Sequence, residues 1–211
     1  MRFNRKTVAV ITAPDAIVAL SEMKLALRVD GNDDNALIER YIEVATDQVK
    51  QYTRRSLGEE TLELTMDGFN AVDDDALVRL GPGVHTGSHS HLTGKGNEID
   101  LPFPPIMEIV SIKTFDRGNN ESTFDANRYQ LDQTGGRIYL NEGEVWPDNL
   151  RLREAVKVRY KAGYDTVPAI FIQAIYDLVS NMYDCREVCE MCDKWKKTLA
   201  PYKLWDDLGY R

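Results

Sequence analysis

Thr61-Leu62-Glu63-Leu64-Thr65-Met66-Asp67 decides the fold, because its apolar residues recur at every second position while those on either side recur every three or four. Leu62, Leu64 and Met66 alternate with Glu63, Thr65 and Asp67, as a half-buried strand requires. Before this stretch the spacing is helical. Leu20, Met23 and Leu27 predict a short helix ending near Val29, with Ser21 placed to cap its free N–H groups. Residues 30–34 form a polar turn whose carboxylates face the positive end of the next helix. On that helix Leu37, Ile38, Tyr41, Ile42, Ala45, Val49 and Tyr52 share one face, and Arg54-Arg55 put positive charge at the end where the helix dipole favours it.

After Asp67 further strands are predicted at 76–80, 98–101, 108–116, 129–132, 137–141 and 155–162, and Thr7-Val8-Ala9-Val10-Ile11 reads as another short one. Turn signals separate the later strands at Gly81-Pro82-Gly83, 102–105, Arg117-Gly118-Asn119-Asn120 and Gly135-Gly136. Short strands this closely spaced, without helices between them, pair antiparallel. Helical spacing returns at Pro168 with Phe171, Ile172, Ile175, Leu178, Val179 and Met182, and Pro201 ends or breaks that helix. The expected fold is α+β: a small helical bundle from the N- and C-terminal segments with an inserted antiparallel β domain. Residues 1–60 supply the N-terminal strand and bundle helices, 61–164 the insertion, and 165–211 the C-terminal helix and tail.

The 211 residues are 43% hydrophobic and 28% charged, near the globular average, which excludes disorder and collagen. Thirty-four acidic against 26 basic residues give a net charge of −8, the wrong sign for neutralising phosphates over a broad surface. Contact with basic partners, or a channel that repels DNA, remains compatible with that balance. No apolar run approaches the roughly 20 residues a membrane span needs. Arg2, Arg5 and Lys6 before the apolar run 7–11 imitate a secretion signal, but the run is too short and Pro14-Asp15 ends it. Three cysteines, an odd number, suit a reducing compartment.

No constellation provides clear chemistry. Cys185, Cys189 and Cys192 have the C-x3-C-x2-C spacing of cluster-binding radical enzymes, but they lie late in the chain and continue the series Ile175, Leu178, Met182, so they read as helix-interface thiols. His85, His89 and His91 sit in the glycine-rich loop 81–97 without the helix face of a zinc motif, and read as solvated. Gly94-Lys95-Gly96 fails as a phosphate loop, since His89 stands where the first glycine belongs and Gly96 where Ser or Thr does. Asp30, Asn32 and Asp34 begin like a calcium loop, yet Asn35 and Tyr41 occupy its glycine and glutamate positions; helix capping accounts for them better. No catalytic, cofactor-binding or metal residue is assigned.

Two features ask for a partner. Glu39, Glu43 and Asp47 form an i, i+4, i+8 acidic stripe opposite the apolar face of the long helix, at a cost of a few tenths of a kcal/mol per pair. This is either a plain solvated face or a surface toward a basic partner or a DNA channel. The tail 199–205, followed by Leu208 and Tyr210, concentrates Tyr202, Leu204 and Trp205, residue types that anchor interfaces. Such a tail packs on its own domain or docks on another protein.

In order and spacing, several segments resemble the head-tail connector (neck adaptor) proteins of tailed phages. They are 20–30, 33–38, Tyr52-Thr53-Arg54-Arg55, Leu101-Pro102-Phe103-Pro104-Pro105-Ile106, 156–164, Val167-Pro168, Ile172-Gln173-Ala174-Ile175 and the tail 199–205. Loop 81–97 and the cysteine-bearing 185–195 depart from that pattern. The resemblance implies a structural virion protein without enzymatic activity or cofactor, forming a homo-oligomeric ring, typically of twelve copies, beneath the portal protein. Such a ring extends the DNA channel, through which DNA passes without specific binding, and presents a surface to the next neck or tail protein, a stopper or tail terminator. It also implies location at the virion neck, assembly in the host cytoplasm, no membrane contact, and a C-terminal segment docked on the portal. On this basis Tyr202, Leu204, Trp205 and Tyr210 are the expected portal-side residues, and Glu39, Glu43 and Asp47 the expected channel lining. The competing readings are a receptor- or carbohydrate-binding β module of a tail tip and a metal-dependent enzyme using the cysteine or histidine trio.

Overall fold

The computed structural model describes residues 6–69, 98–185 and 194–204. The chain divides into two units, each with its own apolar core. One is all β and holds the described residues up to Ala13 together with those between Glu60 and Ala162; the other is helical and holds the described residues from Pro14 to Glu59 and from Gly163 onward.

Among the described residues the β unit contains eight strands: β1 (Lys6–Thr12), β2 (Glu60–Met66), β3 (Glu98–Asp100), β4 (Ile106–Phe115), β5 (Glu121–Thr123), β6 (Tyr129–Asp132), β7 (Arg137–Leu140) and β8 (Val156–Ala162). Five form an antiparallel sheet in the order β1-β2-β8-β4-β5, and three form a second sheet in the order β3-β7-β6. Period-two patterning sorts the first sheet's faces. Leu62, Leu64, Met66, Val156, Val158 and Tyr160 are buried on one side and share a core with Ile99 and Ile138 of the second sheet. The opposite face carries ion pairs: Glu63 meets Arg159 at 2.8 Å and Lys157 at 3.6 Å, Lys161 meets Glu108 at 2.8 Å, and Lys113 meets Glu121 at 2.7 Å. Tyr160 is buried and its hydroxyl donates to the Pro102 carbonyl at 2.9 Å, so its polar end is satisfied.

The N-terminal strand differs from expectation. Its sequence order groups β1 with the bundle segment 1–60, but it pairs antiparallel with β2, Val8 opposite Leu64 and Val10 opposite Leu62, and so belongs to the β unit. Its β-branched run needs a neighbouring ladder, which only a sheet supplies. Strand β5 was not expected either: Glu121-Ser122-Thr123 has no apolar alternation, and the turn at Asp116 alone folds it back onto β4. The predicted strand 76–80 lies outside the described residues.

The helical unit contains α1 (Leu20–Leu27), α2 (Asn35–Thr53), α3 (Ala169–Asp184) and α4 (Lys194–Leu199), then a short 3-10 turn at Ala200–Tyr202. Its core joins Met23 of α1, Ile38, Ile42, Ala45 and Val49 of α2, Phe171, Ile175 and Leu178 of α3, and Trp195 and Leu199 of α4. The bundle therefore draws on segments from both sides of the β insertion, as the change of period indicates. Three details differ. Ser21 is not the cap of α1; Ala19 is, without a side-chain bond. Asp34 stands at the cap position of α2 but makes no capping bond, and instead accepts from the Tyr183 hydroxyl of α3. Pro168 is the residue before α3, where its extended backbone turns the chain into the helix.

Where the chain leaves the helical unit and where it returns, two glycines meet. A Cβ on Gly163, at φ +131°, would lie 2.1 Å from the Gly58 carbonyl oxygen, and the adjacent Tyr164 N–H donates to the Leu57 carbonyl at 3.2 Å. Only glycine permits both the backbone angle and that approach.

Candidate interaction surfaces

The acidic stripe exists as a surface. Residues 38, 42, 45 and 49 of α2 are buried, and the helix period turns Glu39, Glu43 and Asp47 to the other side, where all three are exposed. No capping or core role competes for them.

The tail is tied to its own bundle as far as it is described. Tyr202 sets its ring edge-on to Phe171 at 5.4 Å, its carbonyl accepts from Arg55 Nε at 2.9 Å, and the Leu204 N–H donates to the Thr53 carbonyl at 3.1 Å. The bond from Leu204 satisfies a carbonyl that the end of α2 leaves open. Yet Tyr202 keeps 41% of its surface exposed, so this part of the tail both packs at home and presents an aromatic ring outward. Trp205 and Tyr210 lie outside the described residues.

Around the tail the end of α2 carries Lys50, Arg54 and Arg55, and α4 adds Lys194, Lys196 and Lys197. Tyr52 holds these segments together. Its hydroxyl donates to the Lys196 carbonyl at 3.0 Å, its ring meets Trp195 edge-on at 5.2 Å, and Lys203 Nζ lies 5.4 Å from the ring centre. In a chain of net charge −8 this concentrates cations at one end of the bundle, with the acidic stripe further back along the same helix. Sequence reading found the stripe and the tail but missed this cluster, because its members come from three separated segments; only the short run Lys194-Trp195-Lys196-Lys197 hints at it.

The remaining motifs resolve differently. Asn32 Oδ1 accepts from Lys24 Nζ at 3.0 Å and Lys24 also reaches Asn35 Oδ1 at 2.9 Å, so the calcium-like turn is knitted by an internal cation. Cys185 sits exposed just beyond α3 and is disulfide-bonded, which corrects the reading of a buried interface thiol: α3 ends at Asp184, so the apolar series does not continue to Cys185. Cys189, Cys192, His85, His89 and His91 lie outside the described residues. Among the described residues no group of three metal-ligating side chains converges, and no helix is long and apolar enough to cross a membrane.

Residues 17–80 match the family model of the Phage gp6-like head-tail connector proteins. Three solved structures share the fold: the neck of an empty GTA particle computed with C6 symmetry, the virion of a native gene transfer agent particle, and the neck of a native GTA particle computed with C12 symmetry. They align with TM-scores of 0.73, 0.70 and 0.67 at 17%, 16% and 17% identity, covering 97% of this chain and 98–99% of theirs. No curated protein sequence matches. Nothing in these matches points to a glycan-binding module or a metal-dependent enzyme.

Proposed function

We propose, on the premise that this chain is a phage-type structural head-tail connector protein, that its copies close into a ring of twelve beneath the portal and present their far side to a stopper or tail terminator. The observation that carries this reading is the pairing of a connector-family match over residues 17–80 with a fold that aligns over nearly the whole chain with one in particle necks of twelvefold and sixfold symmetry. Its work is mechanical and no catalytic step is assigned to it.

Two surfaces take roles in this scheme. The Glu39, Glu43 and Asp47 stripe lines the channel, where fixed negative charge keeps phosphates from adhering, so DNA passes without specific binding. The tail, with Tyr202, Leu204, Trp205 and Tyr210, docks on the portal, and the basic end of the bundle around Tyr52 frames that contact. Cations around an aromatic anchor suit a partner patch rich in carboxylates. Assembly then takes place in the host cytoplasm and the product resides at the virion neck.

A pull-down with portal protein tests the docking. Trp205→Ala is expected to weaken capture by about tenfold or more, the scale of a central aromatic anchor. Unchanged capture would remove the tail from the interface.

A further inference from the structure

We propose that the open edge of β1 in one copy adds to the open edge of β4 in the next, so that neighbouring copies share one continuous antiparallel sheet. This deepens the ring reading and rests on it, by naming the surfaces through which copies meet.

The first observation is the character of β1. Among the described residues it is the outermost strand of its sheet, seven residues long, regular up to Val10 with a bulge between Val10 and Thr12, with no proline and one charged residue, Lys6, at its start. Val8, Val10 and Ile11 are 37%, 53% and 48% exposed. Val8 and Val10 stand opposite Leu64 and Leu62, whose side chains are fully buried, so the strand continues an apolar face beyond the point where its own unit covers it. A long apolar edge without protecting charges is a template for another strand.

The second observation lies at the other side of the same sheet. β5 covers only Lys113–Phe115 of β4, and bonds from Gln133 and Phe124 occupy the positions at Ile106, Met107 and Ile112. Between Glu108 and Ser111, where the β4–β8 ladder bulges at Val110, no strand among the described residues lies on the outer side of β4, and Val110 is 50% exposed. Of the nine exposed large apolar residues among those described, four fall on these two edges, so the two apolar surfaces match in kind.

The third is polarity. β1 runs antiparallel to β2, β2 to β8, and β8 to β4, so β1 and β4 point in opposite directions. A second copy related by rotation about an axis along the strands therefore brings its β1 antiparallel to the first copy's β4. The two edges differ, so the contact is head-to-tail, the type that closes a ring when the rotation divides a full turn. Main-chain bonds give such a junction its strength, as in other strand additions. A different partner fits less well, since an external strand on β1 would leave the β4 window without a strand among those described.

Photo-crosslinking in assembled particles tests this. With p-benzoylphenylalanine introduced at Ile11, irradiation is expected to give a ladder in multiples of the 24.0 kDa chain, with the crosslink mapping to 107–112. A crosslink to a different protein, or none, in particles whose necks contain the chain would overturn the proposal and leave the connector reading standing. Absence of the chain from the necks would overturn both. As a second variant, Val10→Lys with Ile11→Lys is expected to lower neck occupancy about tenfold while leaving the thermal midpoint of the isolated chain unchanged. Full occupancy in that variant would also contradict the shared sheet.

Discussion

At the scale of single residues, the most constrained position is Gly163. Its φ of +131° and the mere 2.1 Å that would separate an added Cβ from the Gly58 carbonyl oxygen leave no room for a side chain, so Gly163→Ala should cost at least about 1–3 kcal/mol, read as a lower denaturation midpoint with unchanged slope. Glu63 gives a pH signature. Burial pushes its carboxyl up, but the hydrogen bond from Arg159 and the charges of Lys157 and Arg159 outweigh this and hold it below its ordinary 4.5. A carboxyl lowered in the folded state contributes stability that is fully present above 4.5 and is lost as pH falls through the folded value. The difference in melting temperature between wild type and Glu63→Gln should therefore be full near neutrality and shrink on acidification below 4.5; a difference independent of pH would show that the ion pair is not its source.

At the scale of elements, α4 shows how a six-residue helix is held. Isolated helices this short do not persist in water, so α4 depends on Trp195, which is buried against Tyr52 and whose indole N–H finds no partner among the described residues. Trp195→Ala should cost about 3–5 kcal/mol, whereas Trp195→Phe should cost less than half as much, because it removes the unpaired donor along with part of the ring. Chemical denaturation of the two variants compares them directly. Elements such as α2 and β2 were legible because their periods of 3.6 and 2 persist over 19 and seven residues. β5 was not, since three polar residues carry no period and the β4 partner alone defines them. The placement of β1 was not legible for a related reason: alternation shows that a stretch is a strand, but the strand it pairs with lies more than fifty positions away in the chain.

At the scale of the whole molecule, the separation into a β unit and a helical unit built from both flanks followed from where the period changes at Thr61 and again near Pro168. Surfaces were legible to the extent that one element carries them. The acidic stripe lies on a single helix and was found, while the basic end needs α2, α4 and the tail brought together around Tyr52 and was not. Where the motifs that suggest metal chemistry are described, they belong to a local turn, as with Asn32 and Lys24, or to Cys185, where the helix has already ended. What unites the remaining features is that they face outward: the acidic stripe, the Tyr202 ring framed by cations and the apolar residues of two sheet edges.

A subunit-resolution reconstruction of the particle neck decides whether this chain is a ring subunit around the channel. It should place this chain as a ring coaxial with the channel beneath the portal, with Glu39, Glu43 and Asp47 toward the lumen. Density for the chain at the tail tip, or a normally joined neck in particles that lack the polypeptide, would contradict it.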